Sequence, residues 1–269
     1  MALDRGRRAH GRGDAPPPSV LNRRRAPAPR AEANGGNDVD TATILEIVED
    51  SRETGWVLEP DAKRILALAG VDVPRFAWAG NADQAAAAAA EIGYPVVVKV
   101  VSPRVVHKTE VGGVVTGVGN ERDLRAAFER LSRIDAFQGV VVDETLSGVE
   151  LIVGAKNDAQ FGPVILLGIG GVGVEIYRDT AIRMAPVSPR DVESMLRCLR
   201  GRALLEGFRG KEPASREAIE KLVLGFSDLV MAIGGEVESI DLNPVICSSR
   251  RAAAADARIM LTPPQGPRL

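Results

Sequence analysis

GYPVVVKVVSPRVVHKTEVGGVVTGVG, residues 93–119, is two apolar strands around a polar loop. Pro95 stands at the start of the first strand, Val96 to Val101, where a missing N–H removes no interior ladder bond. Lys99 interrupts that apolar run, and an unpaired ammonium is costly to bury. Two readings stand for it: a strand-end lysine whose head reaches solvent, or an ammonium aimed into a cleft to hold nucleotide phosphates. The loop carries His107 and then Lys108, and Gly112-Gly113 opens the second strand, Val114 to Val118. Such an assembly suits phosphate chemistry. A strand aims one ammonium, a flexible loop offers a second with backbone N–H groups, and an imidazole stands where a phosphoryl group can land. His107 alone is as compatible with a plain surface residue; its neighbours favour the nucleophile and proton-carrier reading.

Working outward, the flanks fall into a β-α-β-β-α-β order. Phe76 to Ala79 is a short strand, Asn81 caps an alanine-rich helix ending near Gly93, Asn120 caps a helix through about Ile134, and Val140 to Val142 is a further short strand. This predicts a compact sheet with helices on one face. Two helices lead in from Thr41: Ile44, Leu45, Ile47 and Val48 recur at helical spacing, and Pro60, Ala62, Ile65, Leu66 and Leu68 form the second, stopping at Gly70. The other half predicts an antiparallel sheet from Val149 to Ala155, Val164 to Leu167, Val172 to Tyr177 and Ile182 to Pro186. Helices headed by Ser188, over Ala203 to Glu206 and from Ser215 to Met231 follow, then strands near Val237 to Leu242 and Ala254 to Ile259. The expected architecture is α+β (α/β in the broad sense), two lobes joined near Val142 to Gly148 with a cleft between them, where nucleotides often bind.

The ends belong to another regime. The first forty residues hold eight arginines, no lysine, and PPP and APAP runs. They cannot bury enough surface to offset chain entropy, so 1–40 is expected to be a disordered tail, as is 262–269 at the other end. Between them, residues 41–143 are assigned to the leading helices and first lobe and 144–261 to the second. The tail's charge is +3, leaving 26 basic and 31 acidic residues elsewhere, net −5. With acids interspersed and no aromatics in the tail, neither nucleic acid nor a membrane is an expected partner. The longest apolar runs, VVVKVV and VILLGIGGVGV, fall short of the roughly 20 residues that a membrane span needs. Cys198 and Cys247 are too few for a disulfide framework and lack metal-ligand spacing; they read as packing residues in a reducing, cytoplasmic setting.

Further candidates lie outside the opening stretch. If the strands at 237–242 and 254–259 pair, Asn243 and Asp256 meet at one sheet end and offer oxygen ligands. Mg²⁺ bound with nucleotide phosphates needs only one or two such ligands. Alone, the Asp241-Leu-Asn-Pro244 sequence is equally a turn signal. Glu144 and Glu150 flank the lobe junction, where a carboxylate accepts a ribose hydroxyl or is simply solvated. Gly168-Ile-Gly-Gly-Val-Gly173 is not a dinucleotide-binding fingerprint, because a strand-like VEIY follows it rather than a helix.

Five collinear segments carry a resemblance. They are LEPDAKRILALAGVDVP (58–74), GYPVVVKVVSPRVVHKTEVGGV (93–114), GVELIVGAKNDAQFGPVILLGIGGVGVEIYRD (148–179), ALLEGFRGKEPA (203–214), and IDLNPVI (240–246) with ADARIML (255–261). With them, the chain from about Thr41 to Leu261 resembles the ATP-grasp (β) subunit of ADP-forming acetyl-CoA synthetases, also called NDP-forming acyl-CoA synthetases. The resemblance implies an ATP-grasp fold and the reversible conversion of acyl-CoA, ADP and phosphate into carboxylate, CoA and ATP. His107, in its SPxxxHK context, takes the position of the phospho-accepting histidine, and Lys99 that of the phosphate-binding lysine. Lys108, Gly112 and Gly113 complete the phosphate loop, Glu144 and Glu150 fall in the adenosine-binding segment, and Asn243 and Asp256 match Mg²⁺ ligands. The implied cofactors are ATP or ADP with Mg²⁺. The implied partner is an α subunit carrying the CoA-binding and ligase domains, in an α2β2 assembly, whose own phosphohistidine exchanges with His107. Two alternatives are another ATP-grasp carboxylate ligase, which needs no phosphohistidine loop, and a nucleotide-binding regulatory subunit without turnover.

Overall fold

The computed structural model describes residues 40–171, 179–207, 210 and 212–263. In chain order they form α1 (Thr41–Asp50), β1 (Trp56–Val57), α2 (Glu59–Leu68), β2 (Phe76–Ala79), α3 (Ala82–Ile92), β3 (Val96–Val101), β4 (Val114–Val118), α4 (Glu121–Leu131) and β5 (Gly139–Glu144). Then come β6 (Val149–Asp158), β7 (Gly162–Ile169), β8 (Thr180–Met184), α5 (Pro189–Cys198), a 3-10 turn (Arg200–Leu204), α6 (Arg216–Ile233), β9 (Val237–Cys247), β10 (Ala252–Ala254) and β11 (Ala257–Leu261).

The first sheet has the antiparallel order β2-β5-β3-β4, with α3 and α4 side by side on one face. Asn81 and Asn120 cap these helices as expected, accepting from the N–H groups of Gln84 and Asp123. Strand alternation decides what each face sees. Val96, Val98 and Val100 of β3, with Val140 and Val142 of β5, join the alanine face of α3 in one core. Their neighbours Lys99, Val101, Val141 and Asp143 therefore face away from these helices, toward the second lobe.

The second sheet runs β1-β11-β9-β6-β7-β8, antiparallel throughout, with β10 also paired to β9. A capping box between Ser188 and Asp191 starts α5, and Ser215 caps α6. Both helices bury apolar residues, including Val192, Met195, Leu222 and Phe226, in the core on one face of this sheet. The core also takes Ile44, Ile47 and Val48 of α1 and Ala62, Ile65 and Leu66 of α2. The leading helices, grouped by sequence with the first lobe, thus share the second lobe's core. Pairing of β1 with β11 explains why. Trp56-Val57 is too short to show a periodic signal, yet it stitches the chain start to the C-terminal strands.

Other boundaries differ in detail. The short helix expected at 203–206 is a 3-10 turn over Arg200–Leu204, and the strand expected at 182–186 is Thr180–Met184. The strand expected over 172–177 and the 1–39 and 264–269 parts of the expected tails lie outside the described residues. Cys247 is a packing residue, its thiol pushed up to about 12 by burial, whereas Cys198 is exposed at the end of α5. Among the described residues, no helix is long and apolar enough to cross a membrane.

The largest correction concerns Asn243-Pro244, which is not a turn. β9, 11 residues long, runs through it from Val237 to Cys247. Leu151 pairs with Val245 and Val153 with Leu242, so Asn243 and Pro244 together oppose Ile152 in a β-bulge. A proline in a central strand would delete a ladder bond, and the bulge is where that loss is tolerated.

Truncating Ile65 tests the placement of α2. Ile65→Ala should destabilise the chain by about 2–5 kcal/mol in urea unfolding. Amide exchange should rise in α2 together with β9 and β11 while β3 and β5 stay protected.

Candidate active site

Two elements bring charge into the space between the sheets. Glu59 and Lys63 lie one turn apart on α2 and so share a face. Lys99 and Asp143, on neighbouring strands, look out from the first sheet onto that face. The outcome is a buried network. Lys63 Nζ lies 2.6 and 2.7 Å from the two oxygens of Asp143 and 2.9 Å from Glu59 Oε1. Lys99 Nζ lies 2.8 Å from Glu59 Oε1, 2.9 Å from Asp143 Oδ2 and 2.7 Å from the Ala255 carbonyl. Lys108 Nζ lies 3.0 Å from Glu59 Oε2 and 3.1 Å from Asp256 Oδ1. The contact with Oε2 is within ion-pair range but lacks hydrogen-bond geometry, leaving Oε2 without a hydrogen bond.

Three ammoniums thus face three carboxylates. Burial disfavours the charge on Glu59, but Lys108, Lys63 and Lys99 outweigh it and hold the carboxyl well below its usual range. Burial likewise disfavours the Lys99 charge, but Asp143, Glu59 and Asp256 raise its pKa well above the ordinary value, and Glu59 and Asp256 raise that of Lys108.

The loop between β3 and β4 is built to present His107. Val105 tucks into the first core, Ser102 Oγ donates to the Asp135 carbonyl at 2.8 Å, and Trp56 Nε1 donates to the Pro103 carbonyl at 3.3 Å. Gly112, at φ +65°, closes a turn that a side chain would strain, and a Cβ on Gly113 would meet Val100 Cγ1 at 2.6 Å. Their N–H groups are spent inside the loop, Gly112 on the Thr109 carbonyl and Gly113 on that of Lys108. The glycine pair therefore shapes the loop, where the sequence reading had it offer N–H groups to phosphate.

His107 is exposed at the mouth of a cavity of about 420 Å³ between this loop and the open face of the second sheet. Lys108, Asn243 and Asp256 line the same cavity, with Gly154, Asp241 and Arg258. Asn243 is at the bulge of β9, and Asp256 stands opposite in the break between β10 and β11, its carbonyl accepting the Asn243 N–H at 3.3 Å. The two candidate ligands meet as expected, but within the sheet rather than at its end. Asp256 gives Oδ1 to Lys108 and to its neighbour's N–H. Among the described residues no cluster of three His, Cys, Asp or Glu side chains suits a metal. One carboxylate and one amide oxygen is the protein share of an Mg²⁺ site that nucleotide phosphates complete, so these residues fit the ion.

The remaining candidates stand elsewhere. Lys99 is buried, not solvent-reaching, and sits behind Lys108 rather than on the cavity lining. Glu144 is taken by arginines: it accepts from the Arg75 N–H and from Arg251 Nη1, each at 3.1 Å, and these contacts outweigh burial and lower its pKa. Arg251 also pairs with Asp72, so Glu144 braces the lobe junction. Glu150 is exposed beside Gly170 and Gly171, outside the cavity lining. A larger cavity of about 540 Å³ is lined by Asp72, Arg75, Lys221, Arg250 and Arg251, but it collects none of the phosphate-chemistry residues.

Sequence reasoning missed Arg258, Asp241, Glu59, Lys63 and Asp143. Arg258 lies two residues past Asp256 and hence on the same strand face, a signal that was available. It pairs with Asp241 at 2.9 Å and brings Nη1 to 3.3 Å from His107 Nε2. A guanidinium can only donate, so this contact puts the imidazole lone pair on Nε2 and a proton on Nδ1.

The ATP-grasp domain family matches residues 49–261. The chain is 38% identical over 229 residues to the β subunit of acetate–CoA ligase (ADP-forming) I of Pyrococcus furiosus, covering 82% of this chain and 98% of that one. It is 42% identical over 232 residues to acetate–CoA ligase (ADP-forming) I of Archaeoglobus fulgidus, covering 83% of this chain but 34% of that longer one. A solved acetyl-coenzyme A synthetase 1 of Ca. Korarchaeum cryptofilum superposes with a TM-score of 0.72 at 37% identity, covering 81% of this chain and 100% of that chain. That structure holds coenzyme A and Mg-AMPPCP, with a phosphohistidine segment pointing towards the nucleotide binding site.

Two outcomes test the network. Lys63→Met leaves buried carboxylates short of a partner and should cost about 3–5 kcal/mol in denaturant unfolding. The depressed Glu59 carboxyl contributes stability that is present above about pH 4.3, the unfolded-chain value, and is lost as pH falls toward its folded value. The raised Lys99 and Lys108 ammoniums contribute stability that is present below about pH 10.4 and lost as pH rises through their folded values. Unfolding free energy measured against pH should therefore hold a plateau between these limits, and the Lys63→Met variant, whose Glu59 is less depressed, should lose less stability than the wild type below the acid limit.

Proposed function

We propose, since the chain belongs to the family of ATP-grasp β subunits of ADP-forming acetyl-CoA synthetases, that it binds Mg-ADP or Mg-ATP in the cavity beside His107 and relays a phosphoryl group through that histidine. The observation that carries this reading is the convergence of His107, Lys108, Arg258, Asn243 and Asp256 on one cavity between the lobes.

Phosphoryl transfer is catalysed chiefly by positioning and charge neutralisation. Starting from ATP, His107 Nε2 attacks the γ-phosphorus with the lone pair that the Arg258 contact leaves there. The bond to the β,γ-bridging oxygen breaks, and ADP departs with that electron pair. Lys108 and Arg258 meet the charge on the transferred oxygens. Lys99, held between Glu59, Asp143 and the Ala255 carbonyl, adds its charge from behind and holds the Ala255–Asp256 break in place. Mg²⁺, when bound, neutralises nucleotide charge, and Asn243 and Asp256 are the residues that would hold it. In the reverse direction phosphohistidine 107 returns its phosphoryl group to ADP.

The rest of the reaction belongs to a partner. This chain spans about a third of the single-chain Archaeoglobus relative. An α subunit with the CoA-binding and ligase functions, in an α2β2 assembly, would supply the acyl phosphate chemistry and its own phosphohistidine. Exposure of His107 on a loop supports such delivery from outside.

Incubation with γ-phosphate-labelled ATP and Mg²⁺ should place an acid-labile, base-stable label on the wild-type chain. His107→Ala should carry none, and equal labelling of that variant would sink the assignment. CoA and a carboxylic acid should yield acyl-CoA only when the α subunit is added.

A further inference from the structure

Glu59 touches all three ammoniums of the network, yet it does not line the cavity. It is the first residue of α2, where the helix dipole favours a carboxylate, and it is almost wholly buried. We propose that Glu59 is a positioning residue that holds Lys108 in place of a nucleotide and yields it when the phosphates arrive. This inference rests on the nucleotide-binding reading given above.

The three lysines differ in freedom. Lys63 is fully buried, hydrogen-bonded to both oxygens of Asp143 and ion-paired with Glu59. Lys99 donates to Glu59 Oε1 and to the Ala255 carbonyl and lies 2.9 Å from Asp143 Oδ2. Lys108 alone lines the cavity. Its contact with Glu59 lacks hydrogen-bond geometry, and its other partner, Asp256, is part-exposed and is the carboxylate suited to Mg²⁺. Once a cation and phosphates enter, Lys108 can exchange both carboxylates for phosphate oxygens. Glu59 stays compensated because Lys63 and Lys99 remain on Oε1.

Charge balance makes the same point. Without a nucleotide, three ammoniums and three carboxylates cancel, so the site exerts little net pull on an anion. Transfer of Lys108 to the phosphates uncovers a positive charge where negative charge arrives, next to His107. A carboxylate acting this way opposes nucleotide binding slightly while aiming the lysine that transfer requires. A residue that served the fold alone would do neither.

The full chain, wild type and Glu59→Gln, is titrated with ADP in Mg²⁺ by calorimetry, and His107 labelling is timed at saturating ATP. Glu59→Gln should lower the Kd for ADP about threefold or more, since Lys108 no longer has to leave that carboxylate for the phosphates. It should slow labelling by about tenfold, because Lys108 loses its aim. Glu59→Gln leaves three ammoniums on two carboxylates and risks unfolding. Glu59→Gln/Lys63→Met, which removes one charge of each sign, repeats both measurements and should shift them the same way. With Lys108→Met in the background, the gain in ADP affinity should vanish. An unchanged or raised Kd in folded variants that label more slowly would overturn the placeholder role and leave nucleotide binding standing. Failure of the wild type itself to bind ADP would overturn both.

Discussion

One carboxylate surrounded by three ammoniums sets the relation between the two lobes. Glu59 comes from a helix whose apolar side belongs to the second core, while Lys99 and Lys108 come from the first sheet and its loop. Burying five charges, with Asp256 part-exposed beside them, is tolerable only because each has a partner of opposite sign. The network therefore fixes geometry more than it adds stability. Every member reaches another lobe or another element, so the lobes cannot shift apart without exposing or orphaning a charge.

The chemistry grows from that fixity. Phosphoryl transfer asks for cations held at set places around a reacting phosphorus, and little else from the protein. Lys99 locks the Ala255 carbonyl, which sets the break between β10 and β11, and that break presents Asp256 across from Asn243. The same break aims Arg258 at His107. A loop closed by Gly112 and Gly113 returns to β4 quickly enough to keep Lys108 over Glu59 and His107 over the cavity.

Much of the fold was legible because the first lobe is written in short apolar runs with strong punctuation. β2, β3 and β4 have the bounds expected from Pro95, Gly112-Gly113 and the Asn caps. The meeting of Asn243 with Asp256 also followed once two strands were paired. What stayed hidden depends on contacts distant in sequence. Glu59 and Lys63 announce only a helical pair, and nothing near them signals that Lys99 lies 40 residues and Asp143 lies 80 residues along the chain from their partners in that pair. Glu144 looked free to receive a ribose because Arg251, which occupies it, is 107 residues away. Pro244 misled for a local reason: asparagine before proline is common in turns, and a bulge uses the same residues without ending the strand.

That bulge also separates the register of the strand from the needs of the site. Before it, Ile240 and Leu242 point into the core; after it, Val245 and Cys247 do. Uninterrupted alternation would have sent the last two outward. β9 is thus two half-strands out of phase by one residue, joined where the site needs an asparagine side chain. Losing a single residue there would leave a regular strand with Val245 and Cys247 still inward and Leu151 and Val153 against the same partners, so the extra residue changes only the local backbone that carries the Asn243 side chain. The extra residue therefore serves the site and not the register of the sheet.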